Sequence, residues 1–238
     1  MSKVFRTGIV GAGYVSPYHV RAVKSLGFAE VVGIVDPDRE RAQKVAKEFG
    51  IPGVFQSLAE MAAAKPDVIH ILTPPALHCD LALQAMEMGC HVFVEKPMAE
   101  TAEDCRRMMD KAREKGLVLS VNHSARMDPI VLRALDMVRN GACGEILGVD
   151  FFRSSDYPAY AGGPGIPAPF RKGSYPFQDL GVHGLYLLEA FLGEIHSADI
   201  RYYATGKDPN LFFDEWRAHV ECEGGAAQMK RLGSLPVA

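Results

Sequence analysis

Gly11 and Gly13 form a short glycine turn of the kind that binds phosphate groups. The turn follows an apolar segment that includes Ile9 and Val10, which predicts a buried strand. Glycines adopt backbone angles that other residues avoid, and they let a charged ligand approach the main chain. The helix predicted after Gly13 offers free amide groups and a positive dipole end to an anion. Ser16 replaces the third glycine of the dinucleotide fingerprint, so the motif is incomplete.

Asp36 ends the next apolar segment, Glu30–Val35, and lies at roughly the interval of 20 residues at which a carboxylate meets an adenosine ribose. Its two oxygens can accept hydrogen bonds from both ribose hydroxyls. Its charge would repel a 2′-phosphate, which favours NAD over NADP. Arg39 keeps NADP open, because a guanidinium can bind a phosphate. A helix N-cap before Pro37 is the alternative role for Asp36.

Apolar segments and amphipathic helices alternate from residue 3 to residue 121, and polar residues follow the apolar segments. This alternation predicts a parallel sheet covered by helices on both faces. Ligands bind such sheets at the carboxyl ends of the strands. The residues at those ends are Gly11, Asp36, Thr73, Glu95, Lys96 and Asn122. The first half of the chain therefore predicts an α/β domain with a dinucleotide site along one sheet edge.

Composition and charge exclude several classes of protein. The 238 residues suit two domains, and the formal net charge of −3 gives no electrostatic basis for binding nucleic acid or an anionic membrane. No apolar run reaches about 18 residues, so we expect no transmembrane helix. The first strand begins too early for a leader segment. The five cysteines are scattered without metal-type spacing, which predicts reduced thiols, a cytoplasmic location and no bound metal.

Several motifs together make the chain resemble the Gfo/Idh/MocA family, which includes glucose–fructose oxidoreductase and inositol dehydrogenase. The sharpest motif is Glu95-Lys96-Pro97, directly after a predicted strand. The other motifs are Gly11-x-Gly13 with His19, Asp36, Thr73-Pro74-Pro75-x-x-His78, Arg126-Met127-Asp128-Pro129, Gly141-x-x-Gly144-Glu145-Ile146 and Asp179-Leu180-Gly181-Val182-His183. The resemblance extends from Lys3 to about Arg231.

The resemblance implies a fold of two domains. Residues 1–123 would form a Rossmann domain with a doubly wound parallel sheet, and residues 124–238 an α/β domain bearing an open antiparallel sheet. That second sheet would carry the interface of a homo-oligomer. Compared with the family pattern, this sheet lacks its last strands, which would leave one sheet edge exposed. An exposed sheet edge favours association. The chain is therefore a compact variant, a dimer that covers the edge, or a truncated product.

The resemblance also implies that Lys96, Asp179 and His183 gather beside the nicotinamide, with Lys96 and His183 contacting the reacting hydroxyl. The residue types suit these roles. A histidine has an intrinsic pKa near ~6.5, so it can accept the hydroxyl proton at neutral pH. A lysine ammonium stabilises developing alkoxide charge. Asp179 lies four residues before His183, so on a helix it shares a face with the imidazole and can orient either the imidazole or the substrate.

The other predicted site residues fall into two groups. The cofactor contacts are Gly11, Gly13, Tyr14, Val15, Asp36, Arg39, Thr73, Pro74, His78, Glu95 and Lys96. The substrate contacts are Asn122, Arg126, Tyr160 and Arg171. Tyr160 and Arg171 lie in a segment rich in glycine and proline, residues 156–177, for which a substrate-covering loop and a plain surface crossover are equally supported. His19, His70 and His123 are interpreted as structural.

The function that the resemblance implies is hydride transfer between the hydroxyl of a sugar, cyclitol or related polyol and NAD, or alternatively NADP. The chain departs from the family pattern at Tyr186, where many members carry an acid. Two alternatives stay open. A non-catalytic dinucleotide-binding regulator, or a truncated inactive member, fits the short second domain. An NAD-dependent glycosidase would oxidise and then re-reduce one sugar carbon without net consumption of NAD.

Overall fold

The computed structural model describes residues 3–154, 177–205 and 213–232. Two of the predicted substrate contacts, Tyr160 and Arg171, lie outside these residues. The chain divides into two compact units, Met1–Asn122 and His123–Ala238. Along the described parts of the chain, no helix has the length and apolar character needed to cross a membrane.

The first unit is built on a six-stranded sheet with the strand order β3-β2-β1-β4-β5-β6, in which every pair of neighbours is parallel. This is the doubly wound order of a Rossmann fold, as predicted. In chain order the elements are β1 Phe5–Val10, α1 Ser16–Ser25, β2 Ala29–Val35, α2 Arg39–Phe49, β3 Gly53–Phe55, α3 Leu58–Met61, β4 Val68–Ile71, α4 His78–Glu87, β5 His91–Val94, α5 Ala102–Lys115 and β6 Leu119–Val121.

Helices cover both faces of this sheet because successive strand residues point to opposite sides. Ile9 of β1 belongs to the apolar cluster that α1 and α2 cover. The next residue, Val10, belongs to the cluster that α4 and α5 cover. Strands buried on both faces are continuously apolar, which is why these segments predicted a parallel sheet. Several polar residues, among them Asp36 and Glu95, follow directly after these strands.

The second unit contains a four-stranded sheet with the order β7-β10-β9-β8 and one long helix packed on it. Strand β10 runs antiparallel to β9 but parallel to β7, so the predicted open antiparallel sheet is in fact mixed. Its elements are a 3-10 turn at Ser124–Met127, α6 Pro129–Arg139, β7 Gly148–Ser154, a π-helical turn at Phe177–Gly181, α7 Val182–Leu192, β8 Ile195–Tyr203, β9 Glu215–Cys222 and β10 Gly225–Leu232.

Strand β9 shows how the second sheet is oriented. Trp216, Ala218 and Val220 are buried in the apolar cluster that α7 covers. The intervening residues Arg217 and His219 are exposed. This strict alternation is typical of a sheet with one face on a core and the other in water. Among the described residues, this sheet therefore packs one face on the core that α7 covers and exposes charged residues such as Arg217 on the other.

Candidate functional site

The turn after β1 has open space at Gly13 but no room for a side chain at Gly11. Gly11 has a φ of +102°, and a Cβ added there would lie 2.8 Å from the carbonyl oxygen of Leu72. A Cβ added at Gly13 would meet no atom within 4 Å. The buried Ser16 hydroxyl donates to the carbonyl oxygen of Gly13 at 2.8 Å. Ser16 therefore closes the turn, although it replaces the third glycine of the fingerprint.

The Asp36 carboxylate lies behind this turn and is held by protein donors. Its Oδ2 atom accepts a hydrogen bond from the Ala12 amide at 2.8 Å. Its Oδ1 atom accepts hydrogen bonds from the Asp38 amide at 2.9 Å and from Nη2 of Arg41 at 2.8 Å. Burial raises the pKa of Asp36, but the hydrogen bonds from Arg41 and the two amides outweigh it and leave the pKa below its usual value. Asp36 is therefore a buried, ionised carboxylate at the end of β2.

The alternative role of Asp36 as a helix N-cap is wrong. The cap of α2 is Asp38, whose Oδ1 atom accepts a hydrogen bond from the Arg41 amide at 3.1 Å. The guanidinium that pairs with Asp36 belongs to Arg41, a residue that the sequence analysis did not select. Arg39 opens α2 and is exposed. Arg41 follows Asp36 by five residues, so the first turn of α2 brings it back over the end of β2.

Thr73 and His78 shape the sheet edge at the end of β4. His78 is fully buried, with its Nε2 atom 2.8 Å from the Thr73 carbonyl oxygen and its Nδ1 atom 2.9 Å from the Pro97 carbonyl oxygen. It thereby ties the loop after β4 to the loop after β5. The Thr73 hydroxyl is buried and has no hydrogen-bond partner among the described residues. A buried hydroxyl without a partner is costly, so its position suits a polar group of a ligand.

Glu95, at the end of β5, is the centre of a partly buried polar network. Its Oε1 atom accepts hydrogen bonds from Nδ2 of Asn122 at 2.5 Å and from Nε2 of His19 at 2.9 Å. Its Oε2 atom accepts a hydrogen bond from the Lys96 amide at 3.2 Å. Burial raises the pKa of Glu95, but the hydrogen bonds from His19 and Asn122 bring it below its usual value. Glu95 thus fixes the backbone of Lys96 and the side chain of Asn122.

The network continues from His19, on α1, to His70, on β4. Their Nδ1 atoms lie 3.1 Å apart. Burial, together with the charge of the neighbouring His19, lowers the pKa of His70 to about 3. His70 is therefore neutral at pH 7. These histidines were not connected with Glu95 from the sequence; the available signal was that His70 lies on β4 and that Glu95 directly follows β5, the next strand of the alternating pattern.

These contacts bring most of the predicted cofactor residues to one edge of the first sheet. Gly11 packs against the backbone after β4, and Asp36 bonds to the glycine turn. The site fits a dinucleotide on three observations: the open space at Gly13, the buried carboxylate of Asp36 and the unpaired hydroxyl of Thr73. Tyr14 is exposed beside the turn, with its hydroxyl 3.3 Å from that of Tyr18.

In the second unit, Asp179 lies in the π-helical turn and His183 in the first turn of α7. The Nδ1 atom of His183 lies 2.5 Å from the Tyr186 hydroxyl oxygen. Arg126 lies in the 3-10 turn of the same unit. Burial, and then the charge of Arg126, lowers the pKa of His123. Lys96 belongs to the first unit, so its convergence with Asp179 and His183 stays a prediction.

Comparison with known proteins places the first unit in a family. A model of an oxidoreductase family with an NAD-binding Rossmann fold matches residues 5–123. A D-glucoside 3-dehydrogenase from Escherichia coli (strain K12) is 34% identical over 191 residues, and the match covers 77% of this chain and 53% of that protein. A scyllo-inositol 2-dehydrogenase (NAD(+)) from Bacillus subtilis (strain 168) is 30% identical over 239 residues, covering 95% of this chain and 66% of that protein.

A solved structure extends the similarity to both units. The WlbA dehydrogenase from Bordetella pertussis, in complex with NADH and UDP-GlcNAcA, has a TM-score of 0.81 and 26% sequence identity. The match covers 98% of this chain and 72% of that chain. The chain spans about half the length of several curated relatives that it matches.

Proposed function

The chain belongs to the Gfo/Idh/MocA family of oxidoreductases, and its residues 5–123 form the NAD-binding Rossmann domain of that family; on this premise we propose that it oxidises a hydroxyl group of a sugar, cyclitol or related polyol. The observation that carries the proposal is the sheet edge at which the open glycine turn, Asp36 and Thr73 lie together. Relatives named for D-glucoside and scyllo-inositol, both ring polyols, support the substrate class.

The residues of the first unit would hold the dinucleotide in an extended form along this edge. The turn at Gly11 and Gly13, with the N-terminus of α1 behind it, suits the pyrophosphate. Asp36 suits the adenosine ribose and Thr73 a polar group beyond it. When bound, the nicotinamide supplies the hydride acceptor. We propose NAD over NADP because the ionised Asp36 opposes a 2′-phosphate, although Arg41 offsets part of its charge.

Oxidation of an alcohol releases a hydride from carbon and a proton from the hydroxyl oxygen. His183 would accept the proton. The Lys96 ammonium would hold the oxygen and stabilise its negative charge as the proton leaves. Glu95 supports this role because its carboxylate binds the Lys96 amide. Asp179 would orient groups near His183, while Asn122, Arg126, Tyr160 and Arg171 are proposed substrate contacts.

Two further proposals concern the protein's surroundings. All five cysteines are free thiols, which supports a cytoplasmic location. The open face of the second sheet carries charged residues, among them Arg217 and Glu221, and we propose that this sheet mediates a homo-oligomer.

The proposal is tested by incubating the protein with a panel of sugars, cyclitols and polyols and either NAD or NADP, and by following nicotinamide absorbance. We expect reduction of NAD with at least one substrate. Lys96→Ala should lower the rate by about a hundredfold or more, because it removes the charge that stabilises the alkoxide. Lys44→Ala, which removes an exposed lysine of α2, should leave the rate unchanged.

Each of the other possible outcomes supports a different function for this protein. If the protein binds NAD but turns over no substrate, the non-catalytic regulator replaces the dehydrogenase. If a glycoside is cleaved without net reduction of NAD, the glycosidase replaces it. Full activity in Lys96→Ala would remove Lys96 from the chemistry.

A further inference from the structure

His19 is a buried histidine of α1, with 7% of its surface exposed. Its Nε2 atom lies 2.9 Å from Oε1 of Glu95, and its Nδ1 atom lies 3.1 Å from Nδ1 of His70. Its ring meets the His70 ring edge to face and lies tilted against Phe93, with centroid distances of 5.3 and 5.8 Å. Contacts with β4, with β5 and with the residue that follows β5 therefore fix the imidazole of His19.

The direction of the hydrogen bond between His19 and Glu95 follows from the chemistry of the carboxylate. Burial raises the pKa of Glu95, but the hydrogen bonds that it accepts from His19 and Asn122 leave the pKa below its usual value. Glu95 is therefore ionised at pH 7. An ionised carboxylate accepts hydrogen bonds and donates none. The Nε2 atom of His19 thus carries a hydrogen and donates it to Glu95, whatever the direction of the contact between the two Nδ1 atoms.

We propose that His19 is a positioning residue for the reaction, because its Nε2–H group holds the Glu95 carboxylate in the orientation that binds Asn122 and the Lys96 backbone. Glu95 accepts a hydrogen bond from the Asn122 side chain at Oε1 and one from the Lys96 amide at Oε2. The inference rests on the proposed function, in which Lys96 stabilises the alkoxide and Asn122 contacts the substrate. His19 acts on both residues through Glu95.

The position of His19 on α1 gives this contact a second consequence. α1 begins at Ser16, directly after the glycine turn, and His19 is its fourth residue. The Ser16 hydroxyl donates to the carbonyl oxygen of Gly13, and His19 donates to Glu95 from the same turn of the helix. The start of α1 therefore sets the position of the turn proposed to bind the pyrophosphate relative to the residues proposed to bind the substrate.

The test compares His19→Asn with His19→Gln in the full chain. The asparagine amide lies near the position of the imidazole Nδ1 atom, so His19→Asn keeps a polar atom beside His70 and removes the donor to Glu95. The glutamine amide reaches the position of the Nε2 atom, so His19→Gln keeps a donor to Glu95 and removes the polar atom beside His70. Each variant breaks one of the two contacts and is the matched control for the other.

Two spectroscopic measurements report the contact without any substrate. The ¹⁵N ring resonances of His19 in the wild-type protein should show a hydrogen on Nε2. The ¹³C carboxyl resonance of Glu95, assigned by its loss in Glu95→Gln, should titrate at higher pH in His19→Asn than in the wild type, because a donor is lost while the burial stays. In His19→Gln it should titrate as in the wild type.

The comparison is specific because the neighbouring groups are the same in both variants. Among the described residues, the other titratable side chains near this pair are His70, on β4, and Lys96, which follows Glu95. Both are present in each variant. A difference between the two Glu95 titrations therefore reports the hydrogen bond from position 19.

The kinetic measurement uses the substrate identified with the panel. We expect kcat/KM to fall about tenfold in His19→Asn, the effect of one lost hydrogen bond to a charged group, and to recover most of this loss in His19→Gln. The dissociation constant for NAD should change by less than about twofold in both variants, because the glycine turn is unaltered.

Three results would overturn the inference. The first is a wild-type His19 without a hydrogen on Nε2, a result that needs no folded variant. The second is a Glu95 titration in His19→Asn identical to that of the wild type, even if turnover falls. The third is a kcat/KM that is unchanged in His19→Asn or lost equally in both variants. If Glu95 responds as expected but no substrate is oxidised by the wild type, the contact between His19 and Glu95 stands and the proposed function fails.

Discussion

Thr73 and Asp36 end two strands of the same sheet but differ in how the protein satisfies their polar atoms. Asp36 accepts three hydrogen bonds from backbone and side-chain donors. The Thr73 hydroxyl has no partner among the described residues, although it is buried. Burial of such a group destabilises the folded state, and a ligand that supplies the missing hydrogen bond offsets this cost. If Thr73 contacts the cofactor as proposed, cofactor binding and folding make opposite demands on its hydroxyl.

Thr73→Val should separate these demands, because it keeps the shape of the side chain and removes the unpaired hydroxyl. We expect the free energy of unfolding to stay the same or rise by up to about 1 kcal/mol. We expect the dissociation constant for NAD to increase by roughly tenfold, the effect of one lost hydrogen bond. Denaturant unfolding and calorimetric titration measure the two quantities.

Thr101→Val is the matched control, for which we expect lower stability and unchanged NAD binding. The Thr101 hydroxyl caps α5 by accepting a hydrogen bond from the Asp104 amide at 3.1 Å. Its loss should cost about 1 kcal/mol of stability and leave NAD binding unchanged. A Thr73→Val variant that binds NAD as tightly as the wild type would remove Thr73 from the cofactor site.

Single residues of the site were predicted where the signal is local. The glycine turn and Asp36 each follow an apolar strand directly, so strand periodicity located them. The partner of Asp36 was missed, because whether Arg39 or Arg41 reaches the carboxylate depends on how α2 begins. That start is set by the Asp38 cap. Sequence spacing does not predict the exact residue at which a helix begins.

At the scale of secondary-structure elements, α1, β4 and β5 are joined by the contacts of His19 with His70 and Glu95. The paired residues lie 51 and 76 positions apart in the sequence. No local pattern encodes such distances, so the histidines could be assigned only a structural role from the sequence. The parallel sheet places the three elements side by side and thereby creates the network. Its polar atoms lie close behind the Lys96 backbone.

His70 makes the stability of the folded chain depend on pH, and stability falls as the pH falls. Its pKa is about 3 in the folded chain and about 6.5 in an unfolded one. As the pH falls below about 6.5, His70 becomes protonated in the unfolded state but stays neutral in the folded state, so the free energy of unfolding decreases. The linkage amounts to about 2 kcal/mol between pH 7 and pH 5.

His70→Asn should remove this part of the pH dependence, because asparagine does not titrate and keeps a polar atom near the Nδ1 position. Denaturant unfolding at pH 7 and pH 5 checks the expectation. Ser120→Asn, at an exposed position of β6 in the same sheet, is the control; it exchanges no titratable group and should retain the wild-type slope. An unchanged slope in His70→Asn would mean that His70 is not held neutral by its surroundings.

For the whole molecule, the two units differ in how far the sequence predicts them. The first unit was predicted closely because its strands and helices alternate and each parallel pairing follows from that order. The second sheet was predicted as antiparallel, yet β10 pairs parallel with β7, more than 70 residues earlier in the chain. Strand periodicity shows which face of a strand is buried, but it does not show which distant strand lies alongside.

The proposed function depends on a dinucleotide lying over the glycine turn of the first unit, and calorimetric titration with NAD tests this most directly. Gly13→Ala and Gly27→Ala each add one methyl group at a position where a Cβ meets no protein atom within 4 Å. Both variants should therefore fold with wild-type stability. Gly27→Ala should bind NAD normally, whereas Gly13→Ala should bind it at least about tenfold more weakly, because its methyl group occupies space needed by the pyrophosphate. Wild-type affinity in Gly13→Ala would contradict the account.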